Sequence, residues 1–117
     1  MDSLPLNERV GIVTGGSRGI GGAISSLLAQ DGATVAVLGL PEDRARTQRL
    51  AARLNGAASR LHYYESNVSI YEQCREAVAS VVREHGRVDF LVNNAGRSEE
   101  HTLNSSHVVT SRMPSSA

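Results

Sequence analysis

The residues best equipped for chemistry sit in one short turn, Thr14-Gly15-Gly16-Ser17-Arg18-Gly19-Ile20-Gly21. Glycine has no Cβ, so its backbone can take positive φ and lie directly against a ligand. A helix starting inside the turn would aim unpaired N–H groups and a positive dipole end at the same point, which favours a phosphate there. Gly15, Ser17, Gly19, Ile20 and Gly21 would then line a diphosphate, chiefly through backbone. Arg18 adds a guanidinium, whose planar donor fork suits a phosphate monoester. The chemistry implied is nucleotide binding. A glycine-rich hairpin is the plain alternative, and a strand before the turn with a helix after it argues against that.

A second cluster, Asn93-Asn94-Ala95-Gly96, follows the apolar run 88–92. The elements between the two clusters decide whether they meet. Residues 10–13 read as a buried strand, and Ile20, Ile24, Leu27 and Leu28 fall on one helical face up to the Asp31-Gly32 stop. Residues 34–38 read as a second strand. A helix over 45–54, with Pro41 near its start, runs to Asn55-Gly56, and 60–64 is a more polar third strand, suited to an edge. Ser69-x-x-Glu72 reads as a capping box, opening a helix with Ile70, Cys74, Ala77, Val78 and Val81 on its apolar face and Gly86 at its end. Strands alternating with helices imply right-handed crossovers and a parallel sheet of order 3-2-1-4. In such a sheet ligands sit beyond the strand C-terminal ends, where the order reverses between strands one and four. Both clusters fall there.

The spacing Gly15-x-x-x-Gly19-x-Gly21, paired with Asn93-Asn94-Ala95-Gly96, resembles the TGxxxGxG and NNAG turns of the short-chain dehydrogenase/reductase family, across residues 7–96. The resemblance implies an α/β chain forming the N-terminal half of a Rossmann fold, with a partial NAD(P)-binding domain over 9–96. It implies that the asparagines tie neighbouring strands while Ala95 and Gly96 leave room for a ribose. NAD-preferring members carry an acid at the end of strand two. Leu38-Gly39-Leu40 has none; Glu42 and Asp43 come slightly later, with Arg44 and Arg46 close by, so the resemblance favours NADP(H) over NAD(H). The alternative is that these arginines form a solvated helix face, as Arg49 and Arg53 are read. Asn67-Val68 stands where the family has Asp-Val against the adenine; an amide keeps an acceptor oxygen and adds donors. The surroundings of Tyr63, Asn67 and Leu38 look most similar to 3-oxoacyl-ACP and acetoacetyl-CoA reductases, which implies a small-molecule carbonyl substrate and a homotetrameric parent.

Composition narrows the classes further. The 117 residues suffice for one modest core. A formal net charge of +0 argues against nucleic acid or an anionic membrane as partner. No apolar run reaches the roughly 20 residues of a bilayer span, and residues 1–8 read as a frayed polar leader without a signal peptide, so a cytoplasmic location is expected. The one cysteine, Cys74, fits core packing in a reducing compartment. His62 and His85 lack ligand-spaced partners, and no metal constellation is present.

The family reduces carbonyls with a tyrosine acid, a lysine four residues beyond it, and a serine. All 12 Lys and Arg positions here are arginine, and Tyr63, Tyr64 and Tyr71 all lie in the first half of the family's fold, so no catalytic residue is assigned. Residues 97–117 lose hydrophobic periodicity, which predicts a disordered tail. They also resemble a translated sequencing adapter. Residues 97–102 are compatible with AGA-TCG-GAA-GAG-CAC-ACG, 103–107 with its continuation after one lost base, 108–110 with a sample index, and 111–117 with the far end. The expectation is an oxidoreductase frame interrupted after Gly96 and inactive as it stands. A non-catalytic nucleotide-binding module is the alternative, whereas a sugar-nucleotide epimerase would usually carry TGxxGxxG.

Overall fold

The strand β1, Val10–Thr14, is buried along its whole length, because a parallel strand covered on both faces has no solvent side. In this computed structural model, which describes residues 4–94 and the backbone of 107–110, it forms the centre of a sheet. The remaining elements are α1 (Gly19–Gln30), β2 (Thr34–Gly39), α2 (Asp43–Ala52), a single 3-10 turn (Ala58–Arg60), β3 (Leu61–Glu65), α3 (Tyr71–His85), β4 (Phe90–Asn93) and β5 (His107–Thr110). The parallel order β3-β2-β1-β4 is as the alternation of elements requires, and β3 takes the edge its polarity suggests.

Alternation along the strands splits the core in two. Val13, Val35, Val37 and Val92 pack under α1 and α2 with Ala29, Leu54 and Ala57. Ile12, Ala36 and Leu38 face the other way, against Ala77 and Val81 of α3. Gly11 lies beside Phe90 in the β1–β4 register, and an ideal Cβ on Gly11 would overlap the Phe90 ring. Here glycine lets an aromatic ring lie across the neighbouring strand.

Several expectations are corrected. α1 does not rest on Ile20 and Leu27, each 62% exposed; Gly21, Gly22, Ser25 and Ala29 are its buried residues, with Ile24 and Leu28 half-buried beside them. The reason is close approach: an ideal Cβ on Gly16 would stand 2.6 Å from Ser25 Oγ, so only small side chains fit between helix and turn. The Ser69–Glu72 capping box does not form. α3 starts at Tyr71 without a side-chain cap, and Ser69 instead donates to Asn67 Oδ1 from both its backbone N–H (3.1 Å) and its hydroxyl (2.6 Å). Leu4–Glu8 is not frayed, since the Leu6 N–H donates to the Asp31 carbonyl at 2.8 Å and the Leu6 side chain packs on the core.

The sheet also gains a strand that the sequence reading lacks. β5 pairs antiparallel with β4, Phe90 opposite Thr110 and Asn93 opposite His107. Val108, Val109 and Thr110 are β-branched and favour extended backbone, and an open β4 edge offers unpaired N–H and C=O groups to any such segment.

Candidate nucleotide-binding site

At the C-terminal end of β1 the chain turns sharply, with Gly15 at φ 65° and Gly19 at φ 59°, left-handed values that favour glycine. Arg18, extended at φ −154°, occupies the N-cap of α1 but provides no side-chain cap, and the first turn carries no acid. The helix therefore starts with free donors and no competing anion. Gly21 marks the tightest approach. An ideal Cβ there would stand 2.6 Å from Asn94 Nδ2 and closer still to the Gly15 carbonyl oxygen, whereas one on Gly19 would meet nothing within 4 Å. The turn is thus packed on its inner side and open on its outer side.

Asn93 and Asn94 reach this turn from β4. Thr14 Oγ1 donates to Asn93 Oδ1 at 3.1 Å and accepts the Asn94 backbone N–H at 2.8 Å. Asn94 Nδ2 donates to the Gly15 carbonyl at 3.2 Å. The hydroxyl and amide side chains lock the ends of β1 and β4 together, so the two sequence clusters share one rim. Ala95 and Gly96, the other half of the second cluster, lie outside the described residues.

The end of β2 completes the rim. Leu38 is fully buried, and its carbonyl accepts the Gly15 N–H at 2.9 Å. Gly39 is buried against Asp43, whose Oδ2 would stand 2.7 Å from an ideal Cβ on Gly39. Sequence reasoning placed Asp43 just past strand two but assigned it no role. It accepts from Ser17 Oγ (2.7 Å), the Leu40 N–H (2.8 Å) and Arg46 Nη1 (3.0 Å), so both carboxylate oxygens are engaged. The acidic residue soon after strand two was the available signal. Burial alone would raise the Asp43 carboxyl, but the bonds from Ser17, Leu40 and Arg46 outweigh it and hold the pKa below the ordinary 3.8.

A depressed folded pKa gives stability that is present above the unfolded value and lost as pH falls through the folded one. The expected result for Asp43→Asn is a flatter decline of the urea midpoint below pH 3.8 than in the parent chain. An unchanged acid limb would contradict this.

Arg44 is exposed and stacks its guanidinium 5.0 Å from the centre of the Tyr63 ring, while the Tyr63 hydroxyl donates to the Leu40 carbonyl at 2.5 Å. Asn67 and Val68 follow β3, beside Gly39, whose carbonyl accepts the Ser66 N–H at 2.8 Å. The Asn67 oxygen is occupied by Ser69, its backbone N–H donates to Gln73 Oε1 at 2.8 Å, and Val68 packs against the α3 side of the core. Asn67 thus serves the start of α3. Far from this rim, His62 and His85 are brought together with ring centres 4.7 Å apart, and Tyr64 donates to Glu84 Oε1 at 2.5 Å. Among the described residues no group of three or more His, Cys, Asp or Glu could hold a metal, and no helix is long and apolar enough to cross a membrane.

A glycine turn with an uncapped helix start, pinned by asparagine at the reversal point of a parallel sheet, defines an α/β protein of the doubly wound dinucleotide-binding class. Residues 9–112 match the family described as short chain dehydrogenase, a stretch that runs past Gly96 and includes β5. The chain belongs to that family, whose members bind a nicotinamide cofactor. It is 36% identical over 98 residues to the 3-oxoacyl-[acyl-carrier-protein] reductase FabG of Thermotoga maritima, covering 84% of this chain and 39% of that protein. It is 44% identical over 89 residues to the acetoacetyl-CoA reductase of Shinella zoogloeoides, covering 76% and 34% respectively. The Pseudomonas aeruginosa RhlG/NADP active-site complex superposes with a TM-score of 0.67 at 32% identity, over 82% of this chain and 38% of that one. The chain therefore spans little more than a third of the relatives it resembles.

Proposed function

We propose that the rim formed by Gly15, Ser17, Arg18, Gly19, Ile20, Gly21, Leu38, Gly39, Arg44, Asn67, Val68, Asn93 and Asn94, with Ala95 and Gly96, binds NADP(H) in preference to NAD(H). On this reading the intact protein reduces a 3-oxoacyl thioester or a similar ketone. The observation that carries the proposal is the Asn94–Gly15–Gly21 contact, which closes the turn from both strands while leaving its helix-start donors open. Fit to the group is supported by the same turn: a side chain at Gly21 would collide with the Gly15 carbonyl and Asn94 and force the turn open. When bound, the cofactor supplies a hydride at its nicotinamide end. This chain's residues hold and orient the other end. Backbone N–H groups of the turn face the diphosphate, Arg18 and Arg44 offer guanidinium donors to a 2′-phosphate, and Asn67 and Val68 border the adenine.

The preference for NADP(H) rests on Asp43. An acid near the end of β2 would accept from a free ribose hydroxyl, but both Asp43 oxygens are already bound by Ser17, Leu40 and Arg46. It braces the turn, leaving the exposed arginines to define the local charge. The relatives named as 3-oxoacyl and acetoacetyl-CoA reductases support the substrate class. With no lysine in its 117 residues, the chain offers no tyrosine followed four residues on by a lysine, and we propose that as given it turns over no ketone.

Fluorescence titration of the chain with NADPH and NADH tests the preference. NADPH should bind more tightly, and Arg18→Ala should weaken NADPH by about tenfold or more, the scale of one charge-assisted hydrogen bond. NADH affinity should change little. Equal losses for both would assign Arg18 to the diphosphate instead, and tighter NADH binding would overturn the preference.

A further inference from the structure

The connection between α2 and β3 carries the one Asn-Gly pair of the sequence, Asn55-Gly56. The chain makes a β-turn there, closed by the Ala57 N–H donating to the Leu54 carbonyl at 2.9 Å, with Gly56 at φ 75°. The two ends of the turn are anchored. Leu54 and Ala57 are buried and pack in the core cluster with Val35 and Leu61. Its two central residues are exposed, and an ideal Cβ on Gly56 would meet nothing within 4 Å. Among the described residues neither the Asn55 carboxamide nor the Gly56 N–H has a hydrogen-bond partner. Comparable groups elsewhere are tied down. In Asp31-Gly32 the glycine N–H donates to the Ala29 carbonyl at 3.1 Å. The carboxamides of Asn67, Asn93 and Asn94 are held by Ser69, Thr14 and the Gly15 carbonyl.

We infer that Asn55 is a self-modification site, converting to aspartyl and isoaspartyl forms without an enzyme, and that the isoaspartyl form loosens the α2–β3 connection. The Gly56 backbone nitrogen attacks Asn55 Cγ. The N–Cγ bond forms, the Cγ–Nδ2 bond breaks, and ammonia leaves carrying the proton that the Gly56 nitrogen gave up. Water then opens the resulting cyclic imide. Cleavage at Cγ leaves an ordinary aspartate; cleavage at the Asn55 main-chain carbonyl leaves the main chain running through Cβ and Cγ. Water is the only co-reactant, and nothing is oxidised or reduced. Glycine favours the attack because no side chain shields its nitrogen, whereas the β-branched Val68 after Asn67 crowds the same approach. The isoaspartyl product inserts an extra methylene between two buried anchors, and a close-packed core accommodates that only by shifting Leu54 or Ala57.

Ageing the full 117-residue chain in neutral and in mildly alkaline buffer tests the inference. Tryptic cleavage after Arg53 and Arg60 isolates residues 54–60, and cleavage after Arg60 and Arg75 isolates 61–75, with Asn67 as internal comparison. Mass spectrometry should show acid and isoaspartyl forms of 54–60 accumulating at least about tenfold faster than any change at Asn67. The rate should rise with pH, because the attacking nitrogen must lose its proton. The isoaspartyl chain, separated chromatographically, should melt about 4 °C or more below Asn55→Asp, which adds the same charge without the methylene. Conversion at 54–60 no faster than at Asn67, or only once urea has unfolded the chain, would overturn the site. Equal melting midpoints would overturn the loosening.

Discussion

Gly21→Val is expected to abolish measurable dinucleotide binding, an affinity loss of at least about 100-fold, because binding here depends on backbone shape rather than on one removable contact. The Cβ of any side chain at position 21 collides with the Gly15 carbonyl and stands 2.6 Å from Asn94 Nδ2. Neither partner can retreat cheaply. The Gly15 carbonyl is fixed by the turn and by Asn94, and Asn94 is fixed through its backbone N–H to Thr14 Oγ1 at 2.8 Å. The turn must open, and the donors at the α1 start lose their common direction. Overpacking of this kind also destabilises the fold by about 1–3 kcal/mol. Gly19 provides the contrast. An ideal Cβ there meets nothing within 4 Å, and only φ 59° is unfavourable. Gly19→Asn, which tolerates the left-handed region, should fold normally and retain nucleotide binding within about tenfold, since it adds bulk only on the open side. Parent-like affinity in Gly21→Val by fluorescence titration would remove the basis for the close approach.

Ile12→Ala should produce the largest loss of stability. Ile12 is 1% exposed at the middle of the central strand and packs in the cluster containing Ala36, Leu38, Ala77 and Val81. Truncating such a residue costs about 2–5 kcal/mol, from lost transfer energy and the cavity left behind. Small domains have only about 5–15 kcal/mol in total, so a large share of the margin goes. The melting midpoint should fall by well over ten degrees, at about 4–8 °C per kcal/mol for a domain near this size. Ile12→Val should cost about 0.5–1.5 kcal/mol. Because Ile12 pairs with Ala36 on one side and Leu91 on the other, its loss should also loosen the strand ends that carry Gly15 and Asn93. Equal midpoints for the Ala and Val variants would show that β1 is not the packed centre described.

The order of strands was legible because it follows from periodicity and chirality, both local or topological properties. β-Branched runs mark β1 and β2, glycine stops at Gly32, Gly56 and Gly86 mark element ends, and right-handed crossovers leave few arrangements. The meeting of Gly15 with Asn94 was legible for the same reason. What escaped depends on contacts between distant residues. The helical spacing of Ile20 and Leu27 suggests a buried face, but Ser25 against Gly16 decides how α1 sits, and bulky residues cannot occupy that seam. Ser69-x-x-Glu72 has the pattern of a cap, yet the Ser69 hydroxyl donates to Asn67.

Asp43 could not be assigned from one chain position, since its partners Ser17 and Leu40 converge only after β1 and β2 align. β5 was illegible because edge pairing uses main-chain groups, which any extended segment supplies.

The central claim is that a dinucleotide lies across the C-terminal ends of β2, β1 and β4, gripped at the glycine turn. Titrating isotope-labelled chain with NADP⁺ while following backbone amide resonances tests it most directly. The account predicts saturable shifts with one common midpoint at Gly15, Ser17, Gly19, Gly21, Gly39 and Asn94, and little change along α3 from Glu76 to His85. Shifts centred on α3, or none at Gly19, Gly21 and Asn94 at saturation, would contradict it.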